Sequence, residues 1–183
     1  MLKDLLLQNR SSIIKRWFHQ ILETYPPDTS QFLKNQKDRF GNPVGYTFSQ
    51  GVEALFEALL DGQIREEASS FLDHMIRIRA VQDFSPSQAV SFVFLLKSAV
   101  REGLEKEIRE KGLMKELWEF ESRVDELALL GFEIYMKCRE RLYEIRSNEL
   151  KHRTFRLLER ANLICSAPEG EPDLIDGDRK SVS

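Results

Sequence analysis

The sequence predicts an all-α protein, a single helical bundle that ends in an unusually long helix. Three observations predict it. Apolar residues recur at three- and four-residue spacing along almost the whole chain. No stretch alternates with the period of two that a half-buried strand requires. Capping residues, prolines and glycines punctuate the apolar segments where helices should start and stop. With 183 residues, the chain accommodates one body of about 150 residues plus an extension, and a body of that size buries a core without metals or disulfides.

In the first segment Leu6, Ile13, Ile14, Trp17, Phe18, Ile21, Leu22 and Tyr25 form one stripe. Pro26-Pro27 ends it, because proline lacks an amide proton and restrains its predecessor. Three helix starts then share a signature. Asp28-Thr-Ser-Gln31, Thr47-Phe-Ser-Gln50 and Ser85-Pro-Ser-Gln88 each place a capping side chain three residues before a glutamine, the pattern of a capping box. Pro86 suits the first helical position of the third. The second segment, about Thr29 to Phe40, is weakly amphipathic, and Gly41-Asn42-Pro43 breaks it.

The third segment sets Phe48, Val52, Leu55, Phe56 and Leu59 on one face and stops near Asp61-Gly62. The fourth, about Ile64 to Val81, carries Ile64, Ala68, Phe71, Leu72, Met75 and Ile76. The fifth starts at Ser85 and is apolar almost all round from Ala89 to Leu96, which predicts the central buried helix. Gly112 marks a pause. In the sixth, Leu113, Leu117, Phe120, Val124, Leu127, Ile134, Cys138, Leu142 and Ile145 sustain one stripe. That span alone would measure about 50 Å as a helix, longer than the roughly 30–40 Å breadth of such a body. The helix is therefore expected to project or to pack against a second copy. The expected organisation is a helical domain over 1–150, a helical extension over 151–165 and a disordered tail over 166–183, where Ser, Pro, Gly and acidic residues dominate.

The formal net charge of −3 argues against a general nucleic-acid binder, which needs a basic excess to displace counterions from phosphates. The longest apolar run, Phe92 to Leu96, is far too short to cross a bilayer. Lys3 and Asp4 interrupt the apolar N-terminus, so no leader peptide is expected. Cys138 and Cys165 lie far apart without metal-like spacing, which suits reduced thiols in a cytoplasmic protein.

No catalytic or metal constellation emerges. His19, His74 and His152 form no pair at the spacing that places two ligands on one helix face. There is no nucleophile elbow, phosphate loop or kinase signature. A haem or small-molecule binding protein of globin type is the alternative reading, and haem would need His74 as axial ligand. His74, however, falls at the edge of its apolar face. No cofactor is expected.

Four polar residues are candidates for ligand or partner contact. Arg79 continues the buried line of Ala68, Leu72 and Met75, whereas Arg77 follows the polar face. A charge on the buried line must be paired, or must meet a ligand, and a structural ion pair is the expectation. Lys97, just after an apolar run, raises the same question. Tyr46 and Gln50 flank the breaker loop. Leu127, Ile134, Cys138, Leu142 and Ile145 are expected to line either a dimer seam or the core.

Two stretches are distinctive: Arg39-Phe-Gly-Asn-Pro-Val-Gly-Tyr-Thr-Phe-Ser-Gln-Gly-Val-Glu-Ala-Leu-Phe56, and Ile76-Arg-Ile-Arg-Ala-Val-Gln-Asp-Phe-Ser-Pro-Ser-Gln-Ala-Val90. With the helices around them, over about residues 5 to 150, they resemble the N-terminal domain of the RsbRD family of RsbT co-antagonists. The resemblance implies a regulatory or sensory input to bacterial signalling, including stress responses. It also implies a globin-like body without haem that forms homodimers and contacts a signalling protein, with a small-molecule ligand as a further option. The phosphorylated second domain of such co-antagonists has no counterpart after residue 150, so none of its phosphosites carries over.

Overall fold

The computed structural model describes residues 1–34, 41–63, 66–82 and 84–161. Among them it contains seven helices and no strand: α1 (Leu2–Gln8), α2 (Arg10–Glu23), α3 (Pro27–Lys34), α4 (Pro43–Asp61), α5 (Glu66–Val81), α6 (Pro86–Glu110) and α7 (Met114–Arg160). The chain divides into two units, Met1–Arg141 and Leu142–Ser183. The tail expected at 166–183, Cys165 and the end of the 151–165 extension lie outside the described residues, as do Phe40, Ile64 and Asp83.

In the first unit α2 packs on α6, and α4 packs on α5. Trp17, fully buried on α2, donates its indole N–H to the Phe92 carbonyl of α6 at 2.7 Å. A buried indole needs such a partner, and here the bond fixes how the two helices face each other. The first apolar stripe belongs to two helices rather than one. Asn9 interrupts it by turning its side-chain amide onto the Leu5 carbonyl at 3.0 Å, in competition with the helical ladder. On α6, Ala89, Phe92, Val93, Leu96, Ala99 and Val100 are buried, but Phe94 is 44% exposed. The central helix thus keeps one face in water.

The helix starts differ from the sequence pattern in an instructive way. The box at Ser85 forms: Ser85 Oγ accepts from the Gln88 amide at 3.3 Å, and Gln88 Oε1 accepts from the Ser85 amide at 3.0 Å. The box expected at Thr47 does not form, because α4 has already begun at Pro43. Asn42 is its cap, accepting from the Gly45 amide at 2.8 Å while donating to the Phe32 carbonyl at 2.9 Å. Asn42-Pro43 supplies a cap and a pre-set first residue together, so the helix nucleates one turn upstream. Thr47 then sits inside the helix and donates back to the Pro43 carbonyl at 2.8 Å. A Cβ at Gly45 would come within 2.6 Å of the Leu33 carbonyl, so the α3–α4 corner closes only around glycine. Asp28 likewise lies in the first turn of α3, not before it.

The part of α7 up to Arg141 buries Leu117, Phe120, Glu121, Val124, Leu127, Ala128, Gly131, Tyr135 and Cys138. Polar bonds hold it along its length. Asp125 accepts from Lys97 at 2.6 Å, and Glu121 accepts the Arg101 fork at 2.6 and 2.5 Å. Arg123 donates to the Leu59 carbonyl of α4 at 2.6 Å.

In the second unit, residues 142–160 complete α7, and none of them is buried. No helix among the described residues is long and apolar enough to cross a membrane.

Candidate functional site

Arg79 lies in the last turn of α5, on the same face as the buried Ala68, Leu72 and Met75. It is 0% exposed. Its guanidinium carbon lies 4.9 Å from the ring centre of Phe84, 5.0 Å from Tyr25, 5.2 Å from Phe92 and 5.6 Å from Phe48. The rings brace one another edge to face, Tyr25 against Phe84 at 5.2 Å and Phe48 against Phe92 at 6.2 Å. One terminal nitrogen donates to the Gln88 carbonyl at 3.0 Å, the other to Thr24 Oγ1 at 2.7 Å. The Nε–H has no partner among the described residues.

The ion pair expected for Arg79 is absent among the described residues. Four π faces and two neutral oxygens take its place. A cation over an aromatic face gains up to about 2 kcal/mol per contact when desolvated, and the C-terminal end of a helix favours positive charge. Desolvation pulls the guanidinium below its ordinary pKa, yet arginine keeps its proton in proteins. Burial raises the Tyr25 phenol, against the opposing pull of Arg79. The Tyr25 hydroxyl donates to Gln82 Oε1 at 3.3 Å. The result is a buried positive charge with one guanidinium nitrogen, Nε, unpartnered among the described residues.

The cage residue Phe84 is hydrogen-bonded to α7. The Phe84 ring covers Arg79, and the Phe84 carbonyl accepts the Tyr135 hydroxyl of α7 at 2.7 Å. Beside it Arg139 donates to the Ala80 carbonyl at 3.2 Å.

The other candidates do not gather at this cage. Lys97 pairs with Asp125 and lies 5.7 Å from the Phe94 ring centre. Gln50 lines a cleft of about 230 Å³ between α4 and α5 with the carboxylates Glu53, Glu57, Asp61 and Glu67. Tyr46 is half-buried on α4. Leu127 and Cys138 lie in the core, Ile134 and Leu142 are half-buried, and Ile145 is exposed. Arg77 is exposed and pairs with Asp73 at 2.6 Å. His74 is exposed on α5, whereas an axial haem ligand must point into the interior. Among the described residues no three His, Cys, Asp or Glu side chains gather to hold a metal.

Sequence reasoning singled out Arg79 but missed Thr24 and Gln88 as its acceptors and the four rings as its cage. One signal was available: within α5 itself no acidic residue lies one turn before Arg79, where Met75 and Ile76 stand.

Fold and site together define an all-α helical domain whose described polar side chains largely bond one helix to another. The family model of the RsbT co-antagonist protein rsbRD N-terminal domain matches residues 11–150, and the chain belongs to that family. No curated protein and no solved structure matches it. Both distinctive stretches meet at the cage: the first supplies Phe48, the second Arg79, Phe84 and Gln88.

Proposed function

We propose that this chain is a non-catalytic regulatory domain that works in the cytoplasm through protein contacts, with a second copy of itself and with a signalling protein. The globin-like arrangement of the body belongs to this proposal. The observation that carries it is the outer part of α7. Tyr143, Leu150 and Leu157 recur every seven residues, and all are exposed, Leu150 by 66% and Leu157 by 64%. A seven-residue apolar repeat is the spacing of a helix-to-helix seam. None of residues 142–160 is buried among the described residues, so a partner helix is the natural complement of the repeat.

The input would be a change in packing at the Arg79 cage, passed through Phe84 to Tyr135 and so into α7. Regulation requires two states that a ligand or partner binds differently, and a buried cation with an unused donor provides an arrangement other than the present one. Light scattering on the full chain tests the contact. The wild type is expected at dimer mass, and Leu150→Asp with Leu157→Asp at monomer mass with unchanged helical circular dichroism. A monomeric wild type at tens of micromolar would remove the self-association claim.

A further inference from the structure

We infer that the groove between α2 and α4 binds a small amphipathic anion, an apolar body carrying one carboxylate or phosphate head. The groove has a volume of about 490 Å³, within the roughly 300–1,000 Å³ of small-molecule sites. Its floor is apolar: Ile14, Phe18 and Leu22 come from one face of α2, and Val52 comes from α4. These side chains are already well packed from below, so they form a firm surface rather than a collapsible one.

The rim carries the selectivity. Lys15 on α2 and Lys34 at the end of α3 both line the groove, and both are exposed. Among the described residues neither has an acidic partner. The carboxylate lining the groove, Glu53, is engaged by Arg10 at 3.2 Å, and Arg10 also holds Glu57 at 2.6 Å. His19 at the rim faces Glu23 at 3.3 Å. Among the described residues the lining therefore holds two ammonium groups without an acidic partner above an apolar floor. An anionic head meets both lysines while its apolar body covers the floor. A neutral amphiphile gains only the floor, and a cationic one is repelled.

The groove walls lead to the cage. α2 ends beside Thr24 and Tyr25, which contact Arg79, and α4 carries Phe48 of the same cage. A ligand seated on this floor therefore lies on the two helices that also carry cage residues. As an input signal the site rests on the regulatory reading; as a binding site it does not.

Isothermal titration calorimetry of the full chain with octanoate, octyl phosphate, octanol and octylammonium tests it. Saturable one-to-one binding is expected for one or both anions, the better head being identified by comparison, with octanol and octylammonium weaker by about tenfold or more. Lys15→Glu with Lys34→Glu should weaken anion binding about tenfold or more. Ser11→Trp, which fills the groove from an exposed position, should abolish it. All these substitutions are at exposed positions, so an unchanged thermal unfolding midpoint certifies the fold. Absence of saturation with either anion, equal binding of octanol and octanoate, or full anion affinity in the double-glutamate variant would overturn the assignment. Self-association is measured independently, by mass, so a failed titration and a failed dimer are distinguishable.

Discussion

The two parts of α7 share a backbone and differ in what they touch. Up to Arg141 the helix buries a residue every third or fourth position and is pinned by Lys97, Arg101, and the Leu59 and Phe84 carbonyls. From Leu142 to Arg160 it buries none, although Tyr143, Ile145, Leu150, Phe155 and Leu157 are large and apolar. The same helical periodicity thus carries a buried stripe in the first unit and exposed apolar residues among the described residues of the second. Exposed leucines at Leu150 and Leu157, seven residues apart, mark where a second helix would pack.

Four substitutions break or sharpen that contrast. Phe120→Ala, at a fully buried position of the inner part, should cost about 3–5 kcal/mol in chemical denaturation, the usual cost of an aromatic cavity. Arg101→Ala should cost less, about 1–2 kcal/mol, because it leaves the buried Glu121 carboxylate without its fork while Arg101 itself is largely exposed and screened. Tyr135→Phe removes only the hydroxyl that meets the Phe84 carbonyl; about 1 kcal/mol is expected. Leu157→Ser, in the outer part, should change unfolding of dilute, monomeric protein by less than about 0.5 kcal/mol while reducing self-association measured by sedimentation. A large stability loss at Leu157 would erase the distinction between the two parts.

Much of this was legible in the sequence. The all-helical class, the stop at Gly62, the capping box at Ser85 and the long last helix follow from local patterns that local chemistry enforces. The Thr47 box failed because an equally local competitor, Asn42-Pro43, lies upstream. The Asn9 break was invisible because the apolar stripe runs on across it.

The site was only half legible. That Arg79 is buried could be read from α5 alone. That aromatic rings replace an acid could not, since Tyr25, Phe48 and Phe92 arrive from α2's end, α4 and α6, and only tertiary packing brings them together. The α2–α4 groove was illegible for the same reason, because its floor residues read individually as core.

The central claim is that the Arg79 cage and α7 are coupled through Phe84. A double-mutant cycle tests it most directly, using Arg79→Met, which keeps the length and removes the charge, and Tyr135→Phe, with unfolding free energies from denaturant titration. Residues joined through a shared partner interact by about 0.5–3 kcal/mol, so the two losses are expected to fail to add by at least about 0.5 kcal/mol. Strict additivity would mean that the cage and the helix stand side by side without communicating, and would contradict the claim.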